Sequence, residues 1–137
     1  MISIGGDRAD NIHASSGVNQ VIQHPTSNDK LIICNKSSTI HVTDMRGTIL
    51  YTFVSGKKTD TYDCSFLNVC CSPRGEWLYG VAEDGLLYCF SITTGKLERT
   101  LDANKGADKK LIGVHHHPDI NLLATYDLGG TVLFWKP

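Results

Sequence analysis

Apolar and polar residues alternate along this chain in short runs with the period of β-strands, and no stretch holds a helical period. Val18-Asn19-Gln20-Val21-Ile22-Gln23 is closed by His24-Pro25. Phe66-Leu67-Asn68-Val69-Cys70-Cys71 is closed by Ser72-Pro73, and Leu111-Ile112-Gly113-Val114-His115-His116 by His117-Pro118. Proline ends a strand because it has no N–H to give to a ladder. Behind each mark the same plan follows. In the first repeat a turn leads to Leu31–Cys34, another to Thr39–Asp44, and Arg46-Gly47 turns the chain into Thr48–Phe53. In the second repeat Glu76–Ala82, Leu86–Ser91 and Leu97–Leu101 fill the same places, with Glu83-Asp84-Gly85 as a hairpin signal. The third repeat supplies Asn121–Tyr126 and Thr131–Trp135, and no fourth run.

The prolines lie 48 residues (25 to 73) and 45 residues (73 to 118) apart. Four short strands repeated at that interval make a propeller blade. The predicted fold is all-β: a WD40-type β-propeller fragment of three antiparallel blades, the last lacking its fourth strand. The predicted organisation is 1–17 as the end of a preceding blade plus a loop, 18–56 as the first blade and 57–65 as a connection. The second blade is 66–103 and the incomplete third 104–137. Three blades do not close a ring, so the chain reads as the closing part of a longer protein. A blade without a neighbour exposes an apolar side, and a blade without its fourth strand leaves a bare edge. Self-association of the isolated chain follows. Met1-Ile2-Ser3-Ile4 reads as a strand remnant ending the preceding blade.

Composition narrows the classes. Hydrophobic residues make up 41% and charged residues 20% of 137, with a net charge of −1. There is no broad basic field for a nucleic-acid backbone, and sequence-specific nucleic-acid binding is not expected. No apolar run approaches the ~20 residues of a membrane-spanning helix, and the N-terminus has no basic start and apolar core of a signal peptide. The five cysteines (Cys34, Cys64, Cys70, Cys71 and Cys89) form no CxxC pair, and read as free, mostly buried thiols. Cys70 and Cys71 are adjacent, so on a strand they point to opposite faces.

The marks that name the WD repeat are sparse. The Trp slot holds Thr43, Phe90 and Trp135, the following Asp slot holds Asp44, Ser91 and Lys136, and the hairpin Asp slot holds Ser37, Asp84 and Gly129. A polar network with missing members is costlier than none, so apolar packing between blades is expected to carry the stability.

The wording of the repeats resembles one family. Ser72-Pro73-Arg74-Gly75-Glu76-Trp77, Leu87-Tyr88-Cys89-Phe90, Thr94-Gly95-Lys96-Leu97-Glu98-Arg99-Thr100-Leu101, His116-His117-Pro118, Asn121-Leu122-Leu123-Ala124-Thr125-Tyr126 and Trp135-Lys136-Pro137 are similar to the suppressor-of-mec-and-unc family of spliceosomal WD40 proteins. The likeness is dense from Cys70 to Pro137 and thinner, though in register, from Gly17 to Phe53. It implies a seven-bladed propeller in a nuclear protein acting in pre-mRNA splicing, with spliceosomal proteins as partners. It also implies a helical LisH-type region upstream, which this chain does not hold, so that region's partner binding is not carried over. No catalytic residue belongs to the family and none is transferred; no cofactor and no metal are implied.

Candidate residues follow from repeat position. Propellers bind partners on the face carrying the hairpin between second and third strands, which places Lys36, Glu83 and Leu128 on one rim. Gln20, Asn68 and Gly113 occupy an equivalent slot on the first strands. Arg74 and Trp77, at the turn into the second strand, are of the types that anchor interfaces. His115-His116-His117 suggests a metal and hence a small metal-dependent hydrolase. On a strand, however, only His115 and His117 share a face, and His117 falls in the slot of His24 and Ser72, which points to a structural role. Asp84-Gly85 needs no chemistry beyond a turn, and neither a GxSxG elbow nor a phosphate loop is present. A non-enzymatic scaffold is the expected function, with an adaptor of another assembly, such as a ubiquitin-ligase substrate receptor or a trafficking coat, as the alternative.

Overall fold

The structure is a computed structural model, and it describes residues 17–56, 65–103 and 110–136. Residues 57–64 of the expected connection, and the Met1–Ile4 remnant, lie outside the described residues. The rest is three antiparallel sheets. The first holds β1 (Val18–Gln23), β2 (Lys30–Asn35), β3 (Thr39–Asp44) and β4 (Ile49–Val54), in that order. The second holds β5 (Phe66–Cys71), β6 (Trp77–Ala82), β7 (Leu86–Ser91) and β8 (Leu97–Asp102). The third holds β9 (Leu111–His116), β10 (Leu123–Asp127) and β11 (Val132–Trp135). The chain is thus a propeller fragment of two four-stranded blades and one of three strands. The tenth strand starts at Leu123 rather than Asn121, because the Leu122 N–H bonds back to the Ile120 carbonyl (2.9 Å) and keeps 120–122 in the turn.

The residue before each turn proline does one job with three side chains. His24 Nδ1 accepts the Thr26 N–H (3.2 Å) and His117 Nδ1 accepts the N–H groups of Asp119 and Ile120 (3.0 and 3.1 Å). Ser72 Oγ accepts those of Glu76 and Trp77 (3.2 and 3.0 Å). The shared requirement is a lone pair over the turn, which satisfies backbone donors that the ladder cannot reach. The structural role expected for His117 is therefore a cap. The slot after the Trp position caps the next turn: Asp44 Oδ1 accepts the Arg46 and Thr48 N–H groups (2.8 and 2.9 Å), and Ser91 Oγ that of Thr94 (3.2 Å). Those backbone bonds hold the Asp44 carboxyl below the usual range.

Parts of the WD network survive as local pairs. In the second blade Asp84 accepts the Leu86 N–H (3.0 Å) and the Tyr88 hydroxyl. In the third, Gly129 has no side chain, and Asp127 two residues earlier takes over: its Oδ1 accepts the Gly129 and Thr131 N–H groups, both at 2.9 Å. Trp135 Nε1 donates to Thr125 Oγ1 at 2.9 Å. Gly85 and Gly130 close the two hairpins with φ of 80° and 91°, a region that side chains disfavour.

Two apolar cores hold the sheets together, one at each blade junction. Ile32, Cys34, Ile40, Val42 and Phe53 of the first blade pack on Phe66, Leu78, Tyr88 and Phe90 of the second. Its centre is aromatic, with Phe53–Phe90 centroids 5.4 Å apart and Phe66 edge-on to Tyr88 at 5.3 Å. The second junction sets Tyr79, Val81, Leu87 and Cys89 against Leu111, Val114 and Leu123. Cys70 lies in this second core while Cys71 packs against the first, as opposite faces of one strand require.

Polar staples cross both junctions at the innermost strands. Gln20 Oε1 accepts the Val69 N–H (2.7 Å), and Asn68 Oδ1, in the equivalent slot, accepts the Val114 N–H (3.0 Å). Asn19 adds a bond to the Phe66 carbonyl (2.7 Å). The third member of the slot, Gly113, sits under the ring of Tyr126, where a Cβ would collide.

The third blade shows what a junction hides. Ile40 and Leu87 are 0% and 1% exposed, but Val132 in the same slot is 51% exposed. Val42 and Cys89 give way to Phe134, 68% exposed, and Cys34 and Val81 to Tyr126. Among the described residues nothing covers this apolar face or pairs with the β11 edge, and surfaces of that kind favour self-association. We expect the isolated chain to run above monomer mass in light scattering; a sharp monomer with cooperative unfolding would contradict this. Asn68→Ala leaves the buried Val114 N–H without an acceptor and should destabilise the stack by about 1–3 kcal/mol, read as a lower urea midpoint; an unchanged midpoint would remove the staple's importance. Burial pushes the Cys34 and Cys71 thiols up to about 12 and Cys70 further still. At pH 8 only about one Cys34 or Cys71 in ten thousand is then thiolate. These three should resist a disulfide-exchange reagent until denaturant is added, and rapid native labelling mapped to them by mass spectrometry would refute that.

Candidate docking site

The candidate residues fall into three places rather than one. Lys36, Glu83 and Leu128 sit on the hairpins between second and third strands, at one end of the blades. Each hairpin is tied to the start of its own innermost strand by the same backbone bond: Lys36 to Gly17 (2.8 Å), Glu83 to Ser65 (2.9 Å) and Leu128 to Lys110 (3.0 Å). All three side chains are exposed. Glu83 lies 3.7 Å from the Lys110 ammonium across the second junction, a solvent-screened pair worth little in stability. This end is a row of dissimilar groups, one cationic, one anionic and one apolar.

Gln20 and Asn68 are half-buried, and their side chains are used between blades, as described above. Their repeat slot signalled an equivalent position but not its direction, because a strand side chain near an inner edge can face the rim or the next blade. The sign that was available is chemical: both are amide acceptors facing a strand one repeat later.

Arg74 and Trp77 lie at the opposite end. The six residues of β6 separate Trp77 from the Glu83 hairpin by about 20 Å. Here the turns that follow β5 and β9 stand side by side and enclose a cavity of about 350 Å3. Ser72, Pro73, Arg74 and Glu76 come from one turn, Pro118, Asp119, Ile120 and Asn121 from the other, and Trp77 and His116 complete it. Trp77 is 36% exposed. It also borders a second, more apolar cavity of about 540 Å3 on the outer side of the same junction, walled by Leu101 and Trp135. Leu101 fills the slot that Phe53 holds at the first junction, so a smaller side chain there leaves more room.

His116 is the residue that sequence reasoning passed over. It is 7% exposed and stacks on Tyr79 at 5.9 Å. Its Nδ1 lies 2.5 Å from the His117 carbonyl, while Nε2 is buried without a hydrogen-bond partner. The alternation that places His115 and His117 on one face places His116 inward, which was the available signal. His115 is exposed and His117 is used as a cap, and among the described residues no three His, Cys, Asp or Glu side chains gather as a metal-binding group.

Comparison with known proteins agrees with the architecture. No family model matches the chain. The crystal structure of RRP9 WD40 repeats superposes with a TM-score of 0.74 at 14% identity, over 90% of this chain and 36% of that one, which shows the fold alone. WD40 repeat-containing protein smu1 of Dictyostelium discoideum is 37% identical over 107 residues, covering 77% of this chain. The chain spans 18% of that relative's length. Three stacked blades, turn caps in matching slots and a relative of this identity lead to one assignment: the chain belongs to the smu1 family of WD40-repeat proteins.

Proposed function

We propose that this chain acts in pre-mRNA splicing, as a non-enzymatic docking module that contacts spliceosomal proteins in the nucleus during assembly or activation. The observation that carries the reading is the 37% identity to smu1 over most of the chain, joined to the family resemblance of the repeats from Cys70 to Pro137. The geometry supports the coarser part, a WD40 interaction fold. The polar groups that suggested chemistry, Asp84 and His117, hold turns. The exposed features that remain are a mixed rim at one end of the blades and a lined cavity at the other, both suited to protein contact.

Affinity purification of the tagged full-length protein from nuclear extract tests this directly. Splicing factors are expected among the recovered proteins by mass spectrometry. Recovery of ubiquitin-ligase or coat subunits with no splicing factor would overturn the splicing assignment and leave a WD-repeat adaptor of another assembly.

A further inference from the structure

The outer groove of the second junction is a place that the first junction fills with an aromatic ring. There Phe53, opposite Ile40 in the β3–β4 ladder, is 1% exposed and packs on Phe90 with centroids 5.4 Å apart. At the second junction Leu101, opposite Leu87, stands in the Phe53 slot and Trp135 in the Phe90 slot. Between them the groove of about 540 Å3 stays open, a size that suits a small ligand or a single large side chain. Its floor is apolar and buried, made of Tyr79, Leu87, Cys89 and Leu123. Its sides are Leu101 and two indoles, Trp77 and Trp135, the only tryptophans of the sequence.

The mouth of the groove is cationic. Arg99 lies opposite Cys89 in the β7–β8 ladder. Burial pushes the Cys89 thiol up and the Arg99 guanidinium works against it, as a positive charge near the same floor must. Lys136 adds a second cation and Glu98, at the bulge of β8, one anion, for a balance of +1. Among the described residues neither cation forms an ion pair. A charged side chain pushed onto this floor would lose its water without return, and a lysine or arginine would also meet two like charges at the mouth. We propose that the groove receives an aromatic side chain of a partner segment, with acidic residues beside it in sequence. The ring takes the place that Phe53 holds at the first junction and lies against Trp135 as Phe53 lies against Phe90. The carboxylates stay at the mouth, facing Arg99 and Lys136. This deepens the docking reading by naming what is docked, and it does not depend on the splicing assignment.

The probe is the peptide acetyl-Gly-Phe-Asp-Asp-Gly-amide, followed by calorimetry and by tryptophan emission, which reports this groove because both tryptophans line it. The peptide should bind and move the emission to shorter wavelength. Alanine in place of phenylalanine should weaken binding about tenfold, and lysine in place of both aspartates severalfold. Arg99→Gln should remove most of the preference for aspartate over lysine. Leu101→Phe supplies the ring from within the chain, so it should abolish peptide binding and leave the urea midpoint unchanged or higher. Arg46→Gln, the same charge change in the first blade, should have no effect. Equal binding of the alanine peptide, preference for lysine, full binding or a lowered midpoint with Leu101→Phe, or no binding of any peptide would each overturn the proposal. Emission that shifts with protein concentration alone would give the groove to a second copy of the chain and overturn it as well.

Discussion

A β-sheet of this kind cannot cover its own faces, and everything else in the structure answers to that constraint. Each blade has two apolar sides, and burial of a Leu, Ile or Phe side chain is worth about 1.5–3 kcal/mol. The first and second blades bury one side each in a shared aromatic core, and the second and third do the same with smaller residues. Stability is therefore a property of junctions more than of blades, as in other stacked repeats. The third blade displays the converse: slots closed in its neighbours hold Val132 and Phe134 open.

Junctions also decide where chemistry can sit. Apolar packing is indifferent to small sliding, whereas the Gln20–Val69 and Asn68–Val114 bonds require a fixed register between innermost strands. With the register held, the turns at either end are brought into defined proximity. At one end this aligns the three hairpins. At the other it sets two proline-led turns side by side and encloses Arg74, Trp77 and His116 in a cavity to which both blades contribute. The cavity is a by-product of stacking, and its lining comes from residues about 45 positions apart in the chain.

Local polar contacts show how the repeat tolerates lost marks. The expectation that an incomplete WD network would be dropped in favour of apolar packing describes the cores well but not the turns. Asp84 keeps its hairpin, Asp127 substitutes for the absent Asp at 129, and Trp135 retains a hydroxyl partner in Thr125. Each is a short-range bond within one blade, so it survives without the rest of the network. The same holds for the turn caps, where histidine and serine are interchangeable because each presents a lone pair over the following N–H groups.

The strands, their order and the repeat were legible in the sequence because they rest on near-neighbour physics. Alternation follows from the pleat, proline ends a ladder, glycine permits positive φ, and identical slots recur at a constant interval. The opposite facing of Cys70 and Cys71 was readable for the same reason. The roles of Gln20, Asn68 and His116 were not, since they depend on which strand of the next blade lies opposite and at what height. That Arg74 and Trp77 share a cavity, while Glu83 stands about 20 Å away at the other end, was likewise decided by stacking. The sequence by itself determined what each blade is, and only the tertiary structure determined what meets across the gaps, because the packing that aligns two blades is summed over many weak contacts distant in the chain.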